Sequence, residues 1–371
     1  MDHRSRFVYK KLRLKTDFIR LVYLVPNQHN SDQLHVRISH VTFNEWPMKY
    51  RALSYVWGER TEAEQPEILC SYEYSRPGLM RITPNLHAAL AAICPSKDRP
   101  LWTDAICINQ ADKGPEKQEQ VGLMHTIYRT AEEVIIWFHP SVRRLNGKRH
   151  EGLLMRSSGN EIHFGPIPDG TEVAIELCRW LMAYTEDETV NFDGFPKLAR
   201  RFATSYDDIV GQPSFTPEQV RNLARLLKRK DTLYGTHSPG RTADAGLPSY
   251  YDQIWTFLDQ LFSHPWSSRT WTFQEAMLAK KATIRSGDSF VSWQSFLATY
   301  DNINFSLGPW LPGVQVQGEL EGYQYLKTNF LTPFYTTLAE HERPIHVLIV
   351  PFTCKRSYRT CRSCLWCPCV S

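Results

Sequence analysis

No apolar run in this 371-residue chain approaches the roughly 20 residues needed to cross a bilayer. The longest, Ile345 to Phe352, is short and contains Pro351, so no membrane span is expected. The basic N-terminus, MDHRSRFVYKKLRLK, lacks the apolar stretch and small-residue cleavage site of a secretory signal. Asp2, Asp17 and sparse serine argue against a transit peptide, which leaves the cytoplasm as the expected location. A strong charge of one sign is missing too. The formal balance is +4, and the tight basic clusters Arg143-Arg144 and Lys228-Arg229-Lys230 read as solvated surface, so no nucleic-acid partner is expected. Familiar catalytic signatures are absent: no GxGxxG, Walker loop, HExxH or GxSxG occurs. His87 and His125 have no Cys or carboxylate at metal-ligand spacing, so no metal is expected. No repeat appears at solenoid periods.

What is present is ordinary globular composition, with 42% hydrophobic and 22% charged residues. The length allows one large domain or two ordinary ones. Eleven tryptophans and 12% aromatic content suggest a bulky core with rings left over for an interface. Cys70, Cys94, Cys107 and Cys178 stand alone in apolar or helical contexts, as reduced core thiols do. The other five cysteines crowd into the last eighteen residues as Cys354, Cys361, Cys364, Cys367 and Cys369.

Phe18 to Val25, Leu34 to Phe43 and Tyr50 to Trp57 read as strands, the second with a two-residue period of apolar positions. Thr83-Pro84 is an N-cap followed by a first-turn proline. The helix it opens carries Leu86, Ala89, Leu90 and Ile93 on one face and stops at Pro95. Leu101 to Ile108 reads as a buried central strand, a second helix follows Gly114-Pro115, and Val134 to Phe138 is a further strand. Strands alternating with helices predict an α/β fold with a mainly parallel sheet. Beyond Pro140 the pattern turns to helices, at Thr171 to Tyr184, from Thr216-Pro217 and around Tyr251 to Phe262, separated by polar loops.

Three blocks carry polar residues that strand periodicity does not require. In YRALSYVWG a strand delivers Ser54, Tyr55 and Trp57 to its carboxyl end, where ligands bind in open parallel sheets, and Gly58 permits a sharp exit. Tyr55 and Trp57 are equally read as large core residues with satisfied polar tips. In LWTDAICINQ, Asp104 interrupts an apolar run, which is costly unless the carboxylate is paired. Asp104, Asn109 and Gln110 either recognise a ligand or form a buried hub and a turn. Cys107 reads as a packed thiol, with no activating histidine nearby in sequence. In PEKQEQVGLMHTIYRTAEEVIIWF, Glu116 lies in the first turn of a helix, where the dipole favours a carboxylate, and Tyr128 and Trp137 look like packing positions.

Taken in order, these blocks resemble the heterokaryon incompatibility (HET) domain of filamentous fungi. The resemblance runs from the leading strand FIRLVYLVP through Y-x-A-L-S-Y-x-W-G to an N-L-x-x-A-L helix at Asn85, Leu86, Ala89 and Leu90. It continues through W-x-D-A-x-C-I-N-Q, a Q-V-x-x-M-x-x-I-Y-x-x-A helix with Gln120 and Tyr128, and an apolar strand containing Trp137. Thr103 stands where the family usually has an aliphatic residue. Downstream, HPWSSRTWTFQEAMLA resembles an R-x-W-x-x-Q-E segment at Arg269, Trp271, Gln274 and Glu275. The resemblance implies a HET domain over 1–140 with its motif core at 50–138. A variable helical and loop insertion over 141–250, a helical extension over 251–340 and a Cys-rich tail over 341–371 would follow. It further implies a TIR- or flavodoxin-like α/β fold and a cytoplasmic signalling protein of non-self recognition that promotes programmed cell death. Such a protein would act by self-association and by contact with incompatibility or receptor-type protein partners. Because some TIR domains cleave NAD, an alternative is an NAD(P) glycohydrolase in which Asp104 and Glu116 stabilise charge on the ribose. NAD would then be a substrate, and no cofactor is implied. A second alternative is a truncated paralogue without death activity.

The C-terminal C-x2-C-x2-C-x-C run from Cys361 admits a zinc site, though one too crowded for easy tetrahedral closure, or palmitoylation. The expectation is a truncation or reading-frame slip, since related proteins continue well beyond this point.

Overall fold

The computed structural model describes residues 5–12, 17–25, 33–42, 49–58, 65–94, 99–138, 151–155, 162–166, 171–186, 189, 217–229, 258, 261–262 and 264–307. The Cys-rich tail, the Arg143-Arg144 pair and most of the helix expected at Tyr251 to Phe262 lie outside these residues.

The leading strands are β1 (Phe18–Leu24), β2 (His35–Thr42) and β3 (Arg51–Tyr55). A hairpin follows, β4 (Glu67–Tyr72) with β5 (Gly78–Arg81), and then helix α1 (Pro84–Ile93). Helix α1 begins as its sequence dictates: Thr83 accepts from the Leu86 N–H at 3.3 Å and Pro84 takes the first turn. It ends on Cys94 in the left-handed conformation, at φ 47°, and this cap residue is exposed where a core thiol was expected.

Next come β6 (Leu101–Trp102) and the four-residue helix α2 (Asp104–Cys107). The expected strand over Leu101 to Ile108 is therefore cut to two residues. The Cys107 N–H bonds to the Thr103 carbonyl at 2.8 Å, closing a helical turn; a short apolar run fits a buried strand and a buried turn alike. The single helix expected after Gly114-Pro115 is broken at Leu123 into α3 (Pro115–Gly122) and α4 (Met124–Thr130). Strand β7 (Glu133–Trp137) follows. Further on are a separate two-stranded sheet of β8 (Glu151–Met155) and β9 (Ile162–Pro166), and the helices α5 (Thr171–Glu186) and α6 (Pro217–Arg229). A 3-10 turn at Pro265–Ser268 leads to α7 (Thr270–Met277), β10 (Ala282–Ser286), β11 (Ser289–Ser292) and α8 (Trp293–Leu307).

Nine strands make one sheet in the order β11-β10-β7-β3-β6-β1-β2-β4-β5. The run β10-β7-β3-β6 is parallel, as is β2–β4; the other neighbours are antiparallel. The sheet is thus mixed, where a mainly parallel one was expected. The links β1–β2, β4–β5 and β10–β11 are too short for the crossover that parallel pairing requires. The C-terminal region is also less helical than expected, because β10 and β11 extend the same sheet. Helix α5 packs on β11, β10, α6 and α8. Among the described residues no helix is long and apolar enough to cross a membrane.

Candidate functional site

The site is built at the carboxyl end of β3. Along a strand successive side chains point to opposite faces, so Ser54 and Tyr55 part company there. Gly58 then takes φ 79°, a left-handed turn that its missing side chain permits.

On Ser54's side lie α4, α7 and the 3-10 turn. The Ser54 hydroxyl donates to the carboxylate of Glu275, 221 residues away, and accepts from the indole N–H of Trp266 at 2.7 Å. Tyr128 stands beside Glu275 and donates to the Leu53 carbonyl at 3.2 Å. Trp102 meets the Tyr128 ring edge-on at 5.5 Å. Ser54, Glu275 and Trp266 are all buried.

Beyond the strand end, the Trp57 indole N–H donates to Asp104 Oδ2 at 2.8 Å, and the Ala105 N–H donates to Oδ1 at 2.8 Å. Asp104 sits at the start of α2 and not within a strand, so its carboxylate meets the amide at that turn. Gln110 Nε2 reaches back to the Asp104 carbonyl at 2.9 Å, and Asn109 accepts from the Ala111 N–H at 3.3 Å. Both amides thus close a turn. Arg269 Nη1 donates to the Tyr55 carbonyl at 2.6 Å. Asn85 links the two neighbouring strand ends, giving Nδ2–H to the Val56 carbonyl at 2.6 Å and accepting from the Trp137 indole at 2.9 Å. Leu86, next to it, is fully buried.

Burial sets the electrostatics. It pushes the Asp104 carboxyl up to about 6, against the opposing effects of the Trp57 and Ala105 hydrogen bonds and the Arg269 charge. It pushes Glu275 up to about 7; the Ser54 bond and Arg269 act downward, and the Asp104 charge acts upward. Tyr55 and Tyr128 are held well above the usual phenol range, chiefly by burial. Burial also pushes the Cys107 thiol up to about 12, the opposite of what a nucleophile needs.

Glu116 is placed elsewhere. Its carboxylate pairs with Arg20 at 2.8 Å and accepts the Leu12 N–H at 3.1 Å. Arg20, itself fully buried, also binds the carbonyls of Cys107 at 3.1 Å and Lys10 at 2.9 Å. Gln120, one turn along, donates to the Phe18 carbonyl at 2.9 Å. Glu116 and Gln120 therefore fasten the N-terminal segment and β1 to α3. The carboxylate that joins Asp104's surroundings is Glu275, from a block that sequence reading treated as structural. Trp266, unmarked in the sequence, lies three residues before Arg269, and the HPW run was its only signal. The side chains of Trp271 and Gln274 lie outside those described.

Residues 50–163 match the family described as heterokaryon incompatibility protein (HET). Over 131 residues the chain is 36% identical to heterokaryon incompatibility protein 6, OR allele, of Neurospora crassa. That match takes in 33% of this chain and spans only 19% of the relative's length. No solved structure matches the chain.

Proposed function

We propose that this chain, whose residues 50–163 match the heterokaryon incompatibility family, acts in fungal non-self recognition and promotes cell death by protein contact. The observation that supports this reading is the convergence of three separate sequence blocks on one polar hub, buried at Ser54 and Glu275 and half-buried at Asp104. Ser54, Asp104 and Glu275 are each engaged by another block's side chain or by a side chain of the turn before α7. A hub whose polar groups satisfy one another rigidifies the loops around it. Rigid loops at a sheet's carboxyl edge are suited to presenting a recognition surface. The partners in this reading are incompatibility or receptor-type proteins and further copies of the chain, met in the cytoplasm.

A second reading is favoured by one observation: two carboxylates with raised pKa values lie with an arginine at the carboxyl end of parallel strands. This is where a TIR-like hydrolase would hold NAD, one carboxylate stabilising the ribose cation as nicotinamide leaves. Asp104 would act there with Glu275, while Glu116 is committed to Arg20.

Inducible expression of residues 1–371 in a fungal host, with viability and cellular NAD followed together, tests both. Death at constant NAD, undisturbed by Asp104→Asn, is expected. Death with a falling NAD pool that Asp104→Asn or Glu275→Gln prevents, and Glu116→Gln does not, establishes the hydrolase instead. Survival overturns both in favour of a paralogue without death activity.

A further inference from the structure

The matched region ends at residue 163, yet the hub described above is completed by Trp266, Arg269 and Glu275, from more than a hundred residues further on. What fastens this distant block to the end of β3 is polar: Glu275 to Ser54, Trp266 to Ser54 and Arg269 to the Tyr55 carbonyl. Phe138 adds ring contacts to His264 and Trp266, with centroids 3.9 and 5.9 Å apart. The charges in this joint do not balance. The Asp104 carboxylate acts on Glu275 as a like charge, and Arg269 is a cation that acts on both.

We propose that Asp104, Glu275 and Arg269 form a proton-held latch, in which Glu275 keeps its proton while α7 is docked and loses it when α7 leaves the end of β3. Burial of Glu275 and the Asp104 carboxylate favour the proton, and they outweigh the Ser54 hydroxyl, the Tyr128 phenol and Arg269, which favour the ionised form. From β3 Glu275 meets the Ser54 hydroxyl, from α4 the Tyr128 phenol, from α2 the Asp104 carboxylate, and from its own block Arg269. Asp104, already held by Trp57 and the Ala105 N–H, is the better placed of the two to carry the charge. Arg269 then neutralises it, and a second negative charge in the same buried joint has no counterpart. Undocking would free the Tyr55 carbonyl from Arg269 and open the strand end beside Trp57 and Asp104. This deepens the recognition reading by giving the same site a closed and an open state. Its test is a docking measurement, so failure of either leaves the other standing.

The linkage has a definite sign. Docked, Glu275 titrates near 7; undocked, it returns to the ordinary 4.5. The docked state therefore binds more protons between those values, and opening rises about tenfold per pH unit across that window before levelling off. The measurement is hydrogen exchange on the full chain. Amide protection of residues 270–277 is compared from pH 4.5 to 9 with that of β1 as an internal reference. Protection of α7 is expected to fall on the order of 100-fold between pH 5 and 7, then level off. In Glu275→Gln it should be flat. Ser54→Ala, which removes a hydrogen bond favouring the ionised form, should carry the fall to higher pH, and it decides the matter if Glu275→Gln fails to fold. A pH-independent wild type overturns the latch. So does a Glu275→Gln profile that follows the wild type, or a Ser54→Ala plateau that stays in place.

Discussion

Glu116 and Glu275 are both glutamates with 8% of their surface exposed, but their surroundings differ in kind. Glu116 meets a guanidinium directly and accepts a backbone N–H, and its Arg20 partner is itself tied to two carbonyls. Glu275 meets a hydroxyl and a phenol, shares its cation with Asp104, and is pushed upward by burial. The first arrangement is a bolt: charge meets charge, and the N-terminal segment is pinned over α3. The second leaves the carboxylate's charge poorly compensated, which favours keeping the proton. A buried acid's role thus depends on what faces it more than on how deeply it lies.

The largest effect expected from breaking this contrast is at the bolt. Arg20→Met should cost about 3–5 kcal/mol in urea unfolding at neutral pH, because Glu116 is left buried without its partner. Adding Glu116→Leu should recover much of that loss. A small loss in the single variant would mean that water reaches the Glu116 carboxylate. Next comes Glu275→Gln, where the raised pKa fixes the sign. The folded protein holds its proton up to about 7, so wild-type stability falls as pH rises from 4.5 to that value. Gln removes this dependence and should stabilise by on the order of 2–3 kcal/mol at pH 8, with little change near pH 4.5. Unfolding curves at the two pH values check it. Trp57→Phe should cost about 1–2 kcal/mol by removing the indole donor to Asp104. It should also move the Asp104 titration upward from about 6, as read by carboxyl carbon NMR. The smallest effect lies outside both clusters. Lys281 is 66% exposed where it pairs with Glu133, and Lys281→Ala should change stability by less than about 1 kcal/mol.

Much of the frame was legible in the sequence. Strands β1, β2, β3 and β7 and helix α1 lie within a residue or two of where the sequence put them, because β2 and α1 each bury one face while β1, β3 and β7 are short apolar runs buried on both. Three antiparallel strand pairs escaped reading, β8 with β9 among them. The turn between β4 and β5 uses Tyr74 at φ 59°, a conformation no propensity assigns to tyrosine. The hairpin β10–β11 turns on Gly287 at φ 54°, where a Gly-Asp pair between short alternating runs was a usable signal. The site was half legible. Asp104 stood out as a charge in an apolar run, and resemblance marked Arg269 and Glu275. That Ser54 meets Glu275 was not readable, since nothing local records a contact 221 residues long. Glu116 misled because a first-turn acid suits a helix dipole whatever its carboxylate faces.

The position of β10 has a consequence for how the chain is made. Strand β7 pairs on one side with β3, which precedes it in the chain, and on the other with β10, which follows. The Thr283 to Glu133 contact across that second pairing closes over 150 residues. At ordinary rates of translation, roughly 10–30 s pass between the emergence of the two strands. Throughout that interval the VIIW edge stands open on the ribosome as a template for any strand it meets. Folding intermediates stalled at this stage are the species a chaperone would have to cover.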